Sequence, residues 1–222
     1  MRVAATGGME IAAIVMASGF SRRLGLNKLL LPLGEGTVIG HVLEQIGRLG
    51  YSPVIVVSQY DEVLTQAQAK GFCPVRNASP AEGKSSSIRL GISALTGLVE
   101  DRGLPAPRGV SFFTGDQVLL SDKLLTGLQE AFRAAPDTIV FPAYDGAPGS
   151  PGTFPLDMAP RLMELRGEEG GMSAAKETPD RIRLVQAEPG WQGLDIDTAQ
   201  TWERVLTLWH SEWQQQEKRV FG

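Results

Sequence analysis

The sequence predicts an α/β fold whose mostly parallel sheet is covered by helices on both faces. Three observations lead there. Short apolar runs rich in β-branched residues recur along the chain, above all IAAIVM at Ile11–Met16 and PVIVVS at Pro53–Ser58. Between them lie stretches whose apolar residues recur every three or four positions, the period of an amphipathic helix. Gly, Pro and small polar residues close nearly every run. Strands that alternate with helices pair in parallel, and continuous apolar runs mean burial on both faces. Such sheets bind ligands outside the carboxyl ends of their strands, so the loops after each strand are where chemistry is expected.

The elements follow in order. Ile11–Met16 is the expected first strand. In Thr37–Leu49 the spacing of Val38, Val42, Ile46 and Leu49 predicts an amphipathic helix, and Pro53–Ser58 a central strand. A helix over Asp61–Lys70 ends at Gly71, a short strand follows over Phe72–Arg76, and a further helix covers Ser85–Leu98. GVSFFT at Gly109–Thr114 reads as a strand running into Gly115-Asp116, and Ser121 as the N-cap of a helix reaching Ala134. Thr138–Ala143 and Ile182–Gln186 are the last expected strands. Thr198–Gln215 is a long final helix whose Trp202, Leu206, Trp209 and Trp213 form a stripe that docks on the sheet. The Pro/Gly connection Arg102–Arg108 is too short to separate domains. Asp145–Pro155, with three Gly and three Pro, reads as a site loop or lid. The expectation is one domain over residues 11–222, preceded by a short extension, residues 1–10.

Composition narrows the function classes. A net charge of −4 argues against a surface that coats nucleic acid, so any anionic ligand must be held by local cations. No apolar stretch approaches the roughly 18 residues that span a bilayer, and MRVAATGGME lacks the apolar core of a secretory signal. The single Cys73 excludes an intramolecular disulfide and reads as a strand-end packing residue, which makes the cytoplasm the expected location. His41 and His210 read as packing or surface residues.

Five clusters carry chemistry. After the first strand comes a loop of small residues, Ala17, Ser18, Gly19, Ser21 and Gly25, with Arg22, Arg23 and Lys28 among them. Small side chains let backbone N–H groups approach phosphate oxygens, and the cations neutralise them, so this is a polyphosphate cradle. Its spacing is neither the P-loop nor the dinucleotide glycine pattern. Asn77 and the turn Gly83-Lys84-Ser85-Ser86-Ser87 open a helix, where free N–H groups and hydroxyls suit a base edge, ribose or phosphate. Taken alone, simple capping by Ser85 or Ser86 is the plainer account of that turn. Asp116 is a strand-end carboxylate of the kind that holds a phosphate-bridging Mg²⁺, or only a turn residue. In Asp195-Ile196-Asp197-Thr198, alternation puts both carboxylates on one side if the segment is extended. Last comes the Gly/Pro-rich loop that begins at Tyr144.

The first loop reads A-x-G-x-S-x-R-x-G-x-x-K from Ala17 to Lys28. It resembles the signature loop of nucleotidyltransferases of the molybdenum-cofactor type, and KLLLPLG after Asn27 looks most like their cytidylyltransferase branch. The resemblance runs from about Ile11 to Leu206 and implies a Rossmann-like three-layer nucleotidyltransferase domain. It assigns Arg23 and Lys28 to the triphosphate, with Ala17, Ser18, Gly19 and Ser21 in the nucleotide loop. Asn77, Gly83, Ser85 and Ser87 stand where the family binds base and ribose. Asp116 takes the metal-binding place in the family's G-D-Q-P, with Val118 where the Pro stands. D-I-D-T at Asp195–Thr198 carries further metal-binding character, Asp195 being favoured as the second ligand and Asp197 as a cap or outer residue. Tyr144, Gly146 and Gly149 fit the loop that faces the acceptor in the family, but Ser150 replaces its His and Met172 a later Arg. The implied reaction is attack by a substrate phosphate on the α-phosphorus of an NTP, with Mg²⁺ as cofactor and release of pyrophosphate. CTP is favoured as donor and molybdopterin as acceptor, with a molybdenum hydroxylase as downstream partner. A sugar-phosphate acceptor, or a non-catalytic nucleotide-binding accessory role, are the alternatives.

Overall fold

The computed structural model describes residues 11–213. The expected extension, residues 1–10, and the last residues of the expected final helix lie outside them. In chain order the main elements are β1 (Ile11–Ala17), α1 (Val38–Arg48), β2 (Val54–Ser58), α2 (Asp61–Ala69), β3 (Cys73–Arg76) and α3 (Lys84–Arg102). They continue with β4 (Gly109–Thr114), α4 (Asp122–Ala134), β5 (Ile139–Tyr144), β6 (Gly152–Pro155), α5 (Ala159–Glu164), α6 (Gly171–Ala175), β7 (Ile182–Ala187) and α7 (Ala199–Leu208). The sheet runs β7-β5-β6-β4-β1-β2-β3, with the short strand Ala147–Pro148 added to β5. Every pairing is parallel except those of β6 with β4 and β5 and of Ala147–Pro148 with β5.

Both faces of the sheet are buried, as the continuous apolar runs require. Ile11, Ala13 and Val15 pack with Val38, Val63, Leu124 and Val205 of α1, α2, α4 and α7. The alternate residues Ala12 and Ile14 pack with Ile88, Leu162 and Ala174 of α3, α5 and α6. Helix α3 lies so close to β1 that a Cβ on Gly91 would collide with Ile14 Cγ2. Ser121 caps α4 as expected, its hydroxyl accepting from Leu124 N–H. Thr198 rather than Asp197 caps α7, through a reciprocal pair with Thr201. Beyond α7 the chain continues as a wider π-type turn over Trp209–Trp213. Trp209 is buried against His41, ring centroids 4.7 Å apart, which accounts for both as packing residues. The side chain of Trp213, the last of the expected stripe, lies outside the described residues.

The expected site loop or lid over Asp145–Pro155 is corrected by the sheet. The second half of Asp145–Pro155 is no lid: Gly152–Pro155 is the antiparallel strand β6, buried at every residue in the middle of the sheet. Its Gly is a packing requirement, since a Cβ on Gly152 would collide with the Phe141 ring. Phe154 then stacks edge-on against Phe112 and Phe141. The sheet order reverses at β1: the chain moves from β1 outward to β2 and β3, then returns to β4 on its other side. The carboxyl ends of β1 and β4 therefore splay around a crevice, the expected ligand position.

Candidate active site

That crevice is a cleft of about 560 Å³, the size of a nucleotide-scale site. Its floor is the end of β1 and its loop, from Met16 to Arg23 with Lys28; the other walls bring Gly83, Lys84, Ser87, Thr114, Asp116, Glu168, Asp195 and Asp197. Hydrogen bonds set the loop. Ser21 takes a left-handed conformation, φ 51°, its carbonyl accepts from Leu24 and Gly25 N–H, and its hydroxyl accepts from Lys28 N–H at 3.3 Å. Asn27 accepts from Leu29 N–H and starts the single 3₁₀ turn that carries Lys28.

Lys28 is the centre of the charge arrangement. Its ammonium lies 2.5 Å from Asp116 Oδ2 and 3.0 Å from Asp197 Oδ1. Arg23 closes on Asp197 Oδ2 at 2.9 Å. Burial alone would lower the Lys28 pKa, but the charges and hydrogen bonds of Asp116 and then Asp197 outweigh it and hold the ammonium more firmly protonated than usual. Burial likewise pushes Asp197 up, and Lys28 with Arg23 outweighs that push and keeps it below the usual carboxylate range. Among the described residues no ion pair is made to Asp195, and the Lys28 and Lys84 charges offset its burial only in part. Desolvation in the cleft, then the Asp116 charge, raise it from 3.8 to about 6. The two carboxylates on neighbouring segments thus repel one another across the cleft. Asp197, expected as a cap or an outer residue, pairs with the loop cations and leaves the cap to Thr198.

The serine turn is built in two layers. Asn77 is only 1% exposed; its amide donates to Ser86 Oγ at 3.0 Å and Ser87 Oγ at 3.3 Å, and its oxygen accepts from Ser79 N–H. Ser85 is fully buried and accepts from Arg89. Only Gly83, Lys84 and Ser87 of this turn line the cleft, so Asn77 and Ser85 stand behind it and hold its wall. The capping alternative does not hold either, because Gly83, φ 85°, occupies the cap position. A Cβ there would strike the Gly167 carbonyl, which fixes the Gly167–Gly171 stretch against the turn.

Tyr144, Gly146, Gly149 and Ser150 are not among the residues that line the cleft. The Tyr144 ring is clamped where a Cβ on Gly149 or Gly193 would come within 2.7 Å of it, and its hydroxyl donates to the Ser150 carbonyl at 2.6 Å. This packing ties the loop after β5 to the segment that leads into Asp195. Sequence reasoning missed Lys84, Glu168, Thr114 and Phe20 as lining residues. Lys84 stood in plain view inside G-K-S-S-S, overshadowed by the serines. Thr114 carried no signal of its own beside Asp116, yet it lines the cleft, and among the described residues its buried hydroxyl has no hydrogen-bond partner.

The site can attract polyphosphate through Arg23 and Lys28 and a hard cation through its carboxylates. Among the described residues no three His, Cys, Asp or Glu side chains converge on one point, so a metal held here would take further oxygens from its ligand and water. No described helix is long and apolar enough to cross a membrane.

Comparison with known proteins gives the family and the fold. The sequence pattern of the MobA-like NTP transferase domain matches residues 13–182. The crystal structure of the Mycobacterium tuberculosis Rv0371c homologue from Mycobacterium sp. strain JC1 is 28% identical, with TM-score 0.74 over 91% of this chain and 98% of that one. A nucleotidyl transferase from Methanothermobacter shares the fold at 21% identity and TM-score 0.76, covering 91% and 99% of the two chains. A cytidylyltransferase from Leptospira borgpetersenii does so at 18% and 0.68, covering 90% and 86%. No curated protein matches the chain in sequence. With three quarters of its length matched and its cations and carboxylates gathered in the expected crevice, the chain belongs to the MobA-like NTP transferase family and is a nucleotidyltransferase.

Proposed function

We propose that this protein transfers CMP from CTP to a phosphate-bearing acceptor, molybdopterin above all, in the cytoplasm. An acceptor phosphate oxygen forms a bond to the α-phosphorus, the bond from that phosphorus to the β-phosphate oxygen breaks, and pyrophosphate leaves. The observation that carries the reading is the meeting of Arg23 and Lys28 with Asp116, Asp195 and Asp197 in one cleft at the β1/β4 crevice. Lys28 and Arg23 exchange their carboxylate partners for the triphosphate and hold its developing charge; no covalent nucleophile on the protein is required. Asp116 and Asp195 would hold Mg²⁺, and their fit rests on the donor set: two crowded carboxylates without a cation of their own once Lys28 turns to phosphate. When bound, Mg²⁺ neutralises and orients the phosphate oxygens. Ser87, positioned by Asn77, contacts the nucleoside from the opposite wall, with Ser85 bracing the turn. Tyr144, Gly146, Gly149 and Ser150 act at one remove on the acceptor side, through the packing of Tyr144 against the Asp195 segment. The preference for CTP is supported by the Ala17-Ser18-Gly19 start and by KLLLPLG, and a molybdenum hydroxylase would use the product.

The test is pyrophosphate release from CTP, GTP, UTP and ATP with Mg²⁺ and molybdenum cofactor, beside Asp116→Ala. CTP-selective release that the substitution abolishes is the expected result. Release only with a sugar phosphate would reassign the acceptor. Nucleotide binding without release from any acceptor would overturn the transferase reading in favour of a carrier.

A further inference from the structure

Where the pairing of β1 with β2 ends, side chains continue it. The register brings Ala17 opposite Ser58. The Ser58 hydroxyl then donates to the Ala17 carbonyl at 2.7 Å, the Gln59 amide to the Ser18 carbonyl at 2.8 Å, and the Tyr60 hydroxyl to the Gly19 carbonyl at 2.9 Å. Three consecutive residues thus hold three consecutive carbonyls of the loop that floors the cleft. The outer pair is itself braced: Arg76 donates to the Gln59 carbonyl at 2.5 Å, and Tyr60 N–H donates to the Ser58 hydroxyl at 3.1 Å.

The consequence lies in the geometry of the peptide unit. It is planar and trans, so its N–H and C=O point in opposite directions. A Ser18 carbonyl drawn to Gln59 turns the Gly19 N–H away from Gln59, and a Gly19 carbonyl drawn to Tyr60 does the same to the Phe20 N–H. Ser18, Gly19 and Phe20 all line the cleft, and Gln59 and Tyr60 do not. Among the described residues neither of those two N–H groups meets a protein acceptor. Ser21, next in the chain, is in the left-handed region, and consecutive unpaired backbone N–H groups beside a cleft suit an anion.

We infer that Gln59 and Tyr60 are positioning residues: by holding the Ser18 and Gly19 carbonyls they aim the Gly19 and Phe20 N–H groups at the phosphates of the bound nucleotide. The inference rests on the nucleotide reading above. Neither side chain touches the ligand, and both act through backbone. Without them the two peptide units are free to turn, and a carbonyl facing the cleft would repel the anion that the N–H attracts.

The test is binding of CTP and of CMP, each with Mg²⁺, by calorimetry to the full chain and to Gln59→Met and Tyr60→Phe, with circular dichroism to confirm folding. Both substitutions keep shape and remove one donor. Each is expected to weaken CTP by about three- to tenfold, the worth of one orienting hydrogen bond, and CMP by clearly less, because it presents fewer phosphate oxygens to those N–H groups. The double variant should lose about the product of the two. Unchanged CTP affinity in Tyr60→Phe, the milder variant, would overturn the inference. So would equal loss for CTP and CMP, which marks a general loosening of the loop. If the unaltered protein bound neither nucleotide, the nucleotide reading itself would fall.

Discussion

Replacing Lys28 with Met probes the charge arrangement most sharply, because its ammonium holds two carboxylates and is itself only 14% exposed. At the 2.5 Å separation from Asp116, two unit charges attract by about 7 kcal/mol at an effective dielectric of ~20. Most of that is offset by the desolvation of the ammonium, which is the largest single influence on its ionisation. What remains decides the sign. Lys28→Met leaves Asp116, at 6% exposure, facing Asp195 and Asp197 without its ion-pair partner, a net loss of about 2 kcal/mol. For a domain of this size that lowers the melting temperature by about 4–8 °C. The assay is thermal unfolding of both proteins in EDTA and again with Mg²⁺. The variant should melt lower in EDTA and recover most of the difference with Mg²⁺, which replaces the lost charge; the unaltered protein should gain less. Pyrophosphate release should fall by about 10²- to 10³-fold, as for loss of one charge-stabilising group. A metal-free variant that melts at or above the unaltered protein would refute this balance.

Other substitutions separate the layers of the site. Asp195→Asn should stabilise the metal-free protein while abolishing turnover. Its carboxyl is raised to about 6, a shift equivalent to ~3 kcal/mol that solvent in the open cleft screens to on the order of 1 kcal/mol. The sign follows from linkage: below the unfolded pKa near 3.8 both states are protonated and the variants match, and the gap opens as pH rises towards 6. Urea unfolding from pH 4 to 7 checks it, and a pH-independent gap would contradict it. Asn77→Asp exchanges the donor shared by Ser86 and Ser87 for an acceptor in a buried position, so chemical denaturation should show a loss of about 2 kcal/mol and the nucleotide KM should rise. Gly91→Ala drives a methyl into Ile14, and urea unfolding should register a loss of about 1–3 kcal/mol with nucleotide affinity little changed.

Much of this is legible in the sequence, for reasons that individual residues make plain. The β1 run is apolar at every position because both its faces are covered, so no reading but a central strand suits it. The Ala17–Lys28 loop is legible because small residues and cations at a strand end have few uses other than anion binding. Gly152–Pro155 is not, since a Gly that makes room for Phe141 looks like a Gly that makes a turn. Asn77 and Ser85 look like ligand contacts in the sequence, yet they support the residues that face the cleft. Residue type alone does not separate a group that binds the ligand from one that holds the group that does. Asp195 and Asp197 show the same limit: alternation puts both on one side, and only the positions of Arg23 and Lys28 set them apart. Gln59 and Tyr60 leave no trace at all, because their partners are backbone carbonyls far away in the chain.

The most direct test is a crystal structure with Mn²⁺ and the α,β-methylene analogue of CTP, whose carbon-bridged α,β link cannot be cleaved by attack at the α-phosphorus. The anomalous signal of the metal is expected between Asp116 and Asp195, with Lys28 and Arg23 moved from Asp197 onto the phosphates and the base against the Ser87 wall. Phosphates bound elsewhere, or a nucleotide in the cleft with Lys28 still on Asp116 and no metal beside Asp195, would contradict this catalytic arrangement.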